Sequence, residues 1–142
     1  MGGKGKEVLV VVHPGSACGS ADFSMGLEAA ALARYDLGRT IHQWSGDSIV
    51  ISNEFHPETD TYAQIGLALQ GLKDPVLVDA CASREGWAEE AFQTIRSIPA
   101  DRFIITGAWH HPDEHSGCVD AIAAKMEEAG MDWEIAPCAL RL

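Results

Sequence analysis

The stretch FIITGAWHHPDEHSGCV, residues 103–119, decides how the chain is read. Its first four residues, Phe103-Ile104-Ile105-Thr106, carry no polar alternation and read as a strand buried on both faces. The run breaks at Gly107, after which Trp109, His110, His111, Asp113, Glu114, His115 and Cys118 crowd together. Apolar spacing of i, i+3, i+4, i+7 then resumes at Val119, Ile122, Ala123 and Met126, the mark of a helix with one buried face. The side chains capable of acid–base chemistry, nucleophilic attack or metal binding therefore fall between a strand end and a helix start. In α/β proteins ligands bind there, because the loops leaving parallel strands converge at the carboxyl edge of the sheet.

The same unit recurs upstream. Glu7 to Val12 is a β-branched run that stops at His13-Pro14-Gly15. Gly15 to Phe23 reads as a loop, and Ser24 as the cap of a helix reaching about Leu37, with Leu27, Ala30, Ala31 and Arg34 as its face and Gly38 as its stop. Ile41 and Trp44, between Arg39 and Asp47, suit a short edge strand. Ser48 to Ser52 is a firmer strand and exits into Asn53-Glu54-Phe55-His56-Pro57. Thr61 and Gln64 fit a capping box for a helix carrying Tyr62, Ile65, Leu69 and Leu72. Val76 to Asp79 is a third strand. Ser83 suits the cap of a helix with Trp87, Ala91, Phe92, Ile95 and Ile98 on one face, closed by Pro99. The last helix runs from Val119 to about Ala129 before Gly130, and Trp133 to Ala136 is a fifth strand.

Strands alternating with helices imply right-handed crossovers and a parallel sheet covered on both faces. The expected architecture is α/β, a three-layer α/β/α sandwich around a mainly parallel, doubly wound sheet of five strands, or six if an edge strand is added. One domain spans residues 1–142, its first six residues forming a flexible start.

Composition narrows the partners. With 46% hydrophobic and 22% charged residues, the chain matches an ordinary soluble globular domain rather than a disordered one. A net charge of -11 argues against nucleic acid, whose phosphates call for clustered Lys and Arg, and against an anionic membrane surface. There is no basic-then-apolar leader and no apolar run near the roughly 20 residues of a membrane span, so a cytoplasmic location is expected. Cys18, Cys81, Cys118 and Cys138 stand far apart with no Cys-x-x-Cys pair, which disfavours a zinc ribbon or a thioredoxin-like motif; reduced thiols are expected.

The strand exits carry the candidate chemistry: His13 after the first, His56 after the second, Asp79 after the third, and the His/Cys segment after the fourth. In a strand order such as 3-2-1-4-5 the first and fourth strands are neighbours, so His13 would face His110 to Cys118 and Asp79 would lie farther off. A thiol at a helix amino terminus meets N–H groups and the positive end of the dipole, which favour a thiolate. Cys118 is thus the candidate nucleophile, His13 or a loop histidine its base, and Asp79 or Asp113 the carboxylate orienting that base. Trp109, His110 and Gly117 are the candidate substrate-binding positions. The competing plain reading makes Cys118 a small packing residue. A different chemistry is also open. His111 and His115 share one face of a turn that Pro112 is suited to start, and with Asp113 they could hold zinc or iron. Solvated polar residues in a strand-to-helix loop are the ordinary alternative.

Ile105-Thr106-Gly107, Gly117-Cys118-Val119 opening an alanine-containing helix, Gly130 and a final Trp133-to-Ala136 strand together resemble the carboxyl-terminal half of isochorismatase-like cysteine hydrolases. The Phe55-His56-Pro57 exit is similar to the Asp-x-His-Pro exit of their nicotinamidase branch. The resemblance implies the α/β/α fold, a nucleophilic Cys118, hydrolysis of a C–N or ester bond in a small molecule without a cofactor, and homo-oligomers. His13 stands where that family has an Asp, and the family's catalytic Lys has no counterpart after the third strand, where Arg84 is the nearest basic residue. These two departures motivate a third reading, a non-catalytic module of the same fold that binds a small ligand or serves assembly.

Overall fold

Val8 to Val12 have no exposed surface, which is why β1 (Glu7–Val12) can dispense with polar alternation. The computed structural model describes residues 6–17, 19–52, 68–69, 71–80 and 82–141. In it β1 is the middle of the sheet, flanked by β2 (Asp47–Ser52) and β4 (Arg102–His110). β3 (Val76–Asp79) pairs outside β2 and β5 (Trp133–Ile135) outside β4. The order is 3-2-1-4-5 with every pairing parallel, as the sequence leads one to expect. A sixth strand, β6 (Leu140–Arg141), pairs with the far end of β4, so the added strand comes from the carboxyl-terminal segment and not from Arg39 to Asp47.

Helices cover both faces, and the period-2 alternation of the strands sorts the core. Val8, Val10, Val12, Ile49, Ile51, Val78, Phe103 and Ile105 pack against α3 (Trp87–Arg96) and α4 (Cys118–Glu128). Leu9, Val11 and Val50 turn to the opposite side, against α2 (Leu27–Gln43), which follows a short α1 (Gly19–Met25). The α4 face is the one its spacing predicts: Val119, Ile122, Ala123 and Met126 are all buried. The α3 face also holds, with Ala91, Phe92 and Ile95 buried and Trp87 and Ile98 packed beside them, but the helix begins after Gly86 rather than at Ser83.

The region 15–43 differs from expectation. A 3-10 turn (Pro14–Ala17) and α1 occupy the expected loop, Gly26 (φ 92°) separates α1 from α2, and α2 runs through Gly38 to Gln43. Its buried residues are Ala30, Leu37 and Ile41, while Leu27 and Ala31 face outward. A glycine inside a helix costs about 1 kcal/mol, and burying Leu37 and Ile41 returns roughly 1.5–3 kcal/mol each, so the helix continues. The edge strand at Ile41 and Trp44 does not form. The exit at His56 and most of the expected helix from Thr61 lie outside the described residues; Ala68 and Leu72 are buried on the α2 side.

β4 is the element that positions the site. It does not end at Thr106 but passes Gly107 and continues to His110. A Cβ on Gly107 would lie 2.0 Å from the Val12 carbonyl oxygen, and φ there is 104°, so glycine alone lets β4 slide past the end of β1. Among the described residues no helix is long and apolar enough to cross a membrane.

Candidate active site

The segment between β4 and α4 is reduced to His111–Gly117, and one carboxylate organises it. Asp120, in the first turn of α4, is 5% exposed. Its Oδ2 accepts the backbone N–H of His111 at 2.7 Å and that of Gly117 at 3.1 Å. Its Oδ1 lies 2.7 Å from Nδ1 of His110. Burial pushes this carboxyl up, but the donors from His111, His110 and Gly117 outweigh it and hold the group below the ordinary carboxylate value. Asp120 is therefore anionic at neutral pH and can only accept, which makes Nδ1 of His110 the donor. In the neutral ring, Nε2 then carries the lone pair.

Gly117 is required by the same geometry. A Cβ there would meet the Trp109 carbonyl oxygen at 2.0 Å and Cδ2 of His111 at 2.8 Å. The first α4 hydrogen bond runs from Ala121 N–H to Gly117 O at 2.9 Å, so the N–H groups of the opening turn have no acceptor within the helix. Cys118 is the first residue of that turn, half-buried against the α3–α4 core.

His110 and Gly117 meet at Asp120, and Cys118 stands two residues before that carboxylate at the start of α4. Trp109 packs half-buried with the α2-side core, on the other face of the sheet from Cys118, and meets Gly117 through its backbone. His13, at the end of β1, is 2% exposed; its Nε2 lies 2.8 Å from the carbonyl oxygen of Ala80, and its ring is 4.9 Å from that of Trp87, which packs in the same core as Cys118. A carbonyl only accepts, so Nε2 of His13 is the protonated nitrogen and its distal end is engaged. Burial lowers its pKa against the opposing pull of the Ala80 carbonyl. Asp79 is exposed at the end of β3, three strand spacings from β4, on the order of 14 Å.

Asp113 is exposed and bonds to no histidine among the described residues; the carboxylate on His110 is Asp120. A signal for it stood in the sequence, since Gly117-x-x-Asp120 has the spacing of a capping box, with an acid three residues after the cap. His115 N–H bonds to His111 O at 2.7 Å, closing the turn that contains Pro112. The His115 side chain is 72% exposed and its Nδ1 is 3.9 Å from Asp120, beyond hydrogen-bond length. No group of three His, Cys, Asp or Glu among the described residues is arranged to hold a metal ion. Cys138 is placed 3.0 Å from the Thr106 hydroxyl, and Cys18 and Cys81 lie outside the described residues.

Comparison with protein-family models, curated proteins and solved structures finds no match to this chain.

Proposed function

We propose that this protein is a cysteine-dependent hydrolase of a C–N or ester bond in a small metabolite, with Cys118 as nucleophile, His110 as its base and Asp120 as the residue that positions His110. The observation that carries this reading is the 2.7 Å contact between His110 Nδ1 and buried Asp120 in the corner that Cys118 opens. A fixed tautomer leaves Nε2 to take a proton, and a thiol at a helix amino terminus favours its ionised form. In the reaction, the Cys118 sulfur attacks the carbonyl carbon while its proton passes to His110. The carbonyl oxygen becomes an oxyanion held by N–H groups of the first α4 turn. As the C–N or C–O bond breaks, His110 returns the proton to the leaving amine or alcohol. Water, deprotonated by His110, then attacks the thioester, releasing the acid and restoring the thiol. His13, whose distal nitrogen holds Ala80, has a structural part in this scheme.

Alkylation by iodoacetamide as a function of pH, read site by site by mass spectrometry, tests the nucleophile. Cys118 should label faster than Cys138, and Cys118→Ser should abolish turnover on a panel of small amides and esters. A Cys118 that stays unreactive from acid to alkaline pH sinks the reading. The competing metal reading rests on the His111–His115 turn and predicts stoichiometric zinc or iron, lost in His111→Ala or His115→Ala. With neither reactive thiol nor metal, the protein is a ligand-binding or assembly module.

A further inference from the structure

The outer face of α2 carries a pattern that the site does not use. Ala30, Leu37 and Ile41 bury one side of this helix. On the opposite side stand Glu28, Leu32, Tyr35 and Arg39, spaced i, i+4, i+7, i+11, a single stripe of a 3.6-residue helix. All four are exposed, Leu32 and Tyr35 each by 65%. Phe23, 95% exposed, and Leu27, 75% exposed, lie just ahead of the stripe in the chain. Scattered apolar residues need no explanation, but an apolar surface of roughly 300–600 Å² commonly marks an interaction site. The charges at its ends show what would cover it. Glu28 and Arg39 lie at opposite ends, about 16 Å apart along the axis, and neither has an ion-pair partner among the described residues.

We propose that α2 is the surface through which two copies of this chain pair, antiparallel about a two-fold axis between Leu32 and Tyr35. That operation sets Leu32 of each copy against Tyr35 of the other. It also places each Glu28 opposite the other copy's Arg39, giving two equivalent ion pairs around an apolar centre. A parallel arrangement would bring Glu28 to Glu28 and Arg39 to Arg39, so the charges themselves select the antiparallel one. This self-complementarity is the condition for a closed dimer, with the same patch used on both sides. Ala31 and Gly38 beside the stripe carry little side-chain bulk and let the helices approach.

Sedimentation equilibrium at micromolar concentration tests the proposal. Wild-type protein should run at twice the monomer mass, with the dissociation constant rising as salt is added. Glu28→Arg alone and Arg39→Glu alone should each weaken association at least about tenfold, because like charges then face one another twice. The two single variants mixed in equal amounts should recover the dimer, since each then meets its opposite. All positions are exposed, so far-UV circular dichroism should stay at wild-type values, while Tm should lose its dependence on protein concentration in the single variants. A monomeric wild type overturns the proposal. So do single reversals that dimerise as wild type, or a mixture that stays monomeric.

Discussion

Replacing Asp120 by Asn changes one oxygen to an amide and removes one charge while keeping the shape. The carboxylate now serves two backbone N–H groups with Oδ2 and His110 with Oδ1. An amide has one accepting oxygen. If that oxygen stays with His111 and Gly117, the NH₂ faces the His110 N–H, a donor against a donor. If it turns to His110, two backbone donors are stranded. Hydrogen bonds to a charged group contribute about 1.5–3 kcal/mol each, and a buried donor left unmade costs about 1–3 kcal/mol. Asp120→Asn should therefore lose about 2–4 kcal/mol at neutral pH, read as a fall in the urea midpoint at unchanged slope. The acid limb gives a second check. The folded-state pKa of Asp120 is lowered, so the unfolded chain binds the proton first and stability rises with pH. Its contribution is complete above the ordinary carboxylate value of about 3.9 and is lost as pH falls through the lower, folded value. Wild type and variant should accordingly converge as pH drops below about 4. A deficit under about 0.5 kcal/mol at neutral pH, or stability curves that stay parallel into acid, would refute the assigned role.

Other expectations follow from single residues. The His13 pKa is lowered by burial, so below about pH 6.5 the unfolded chain takes up a proton that the folded one refuses, and wild-type stability should fall with pH; His13→Asn, which tolerates the φ of 44°, should flatten that slope in urea titrations. Gly107→Ala places a methyl 2.0 Å from the Val12 carbonyl at a φ of 104° and should cost more than about 4 kcal/mol, seen as loss of cooperative unfolding or of soluble expression. Gly38→Ala, mid-helix with nothing within 4 Å of the added carbon, should stabilise by about 0.5–1 kcal/mol in the same titration. Gly117→Ala should lower the urea midpoint and alter the rate of Cys118 alkylation, because the added carbon pushes the start of α4 away from the Trp109 backbone.

What could be read from the sequence was whatever a two-sided burial imposes on composition. β1 is surrounded by helices on both faces, so its run from Val8 to Val12 had no freedom to be polar, and its central place followed. The α4 face was legible for the same reason. Helix boundaries near residues 15–43 were not, because Gly38 looks identical whether it ends a helix or is carried through one by Leu37 and Ile41 farther along. The length of β4 was equally hidden. Gly107 reads as a stop, and only its approach to Val12, a contact far apart in sequence, reveals it as the residue that lets the strand go on. For the site, the crowding of residues 109–118 marked the place. The partnerships stayed out of reach, because which acid meets which histidine depends on how tightly α4 folds back onto the end of β4.

Two histidines close the carboxyl edge of this sheet, and the nitrogen each one commits sets them apart. His13 spends Nε2, the end of the ring farthest from the backbone, on Ala80, tying β1 to the segment after β3. His110 spends Nδ1, the near nitrogen, on Asp120, and so points its distal nitrogen away from its anchor. The carboxylate is divided in the same way. Oδ2 holds His111 and Gly117 and so serves as the cap that joins β4 to α4, whereas Oδ1 holds only the imidazole at hydrogen-bond length. Removing His110 leaves the cap intact; removing Asp120 removes both the cap and the hydrogen bond that fixes the ring. Stability and the orientation of the imidazole are thus coupled at residue 120 and separable at residue 110. A carboxylate that holds an imidazole and is also a helix cap cannot drift without unfolding the corner it closes, and that coupling holds the His110 ring in one tautomer.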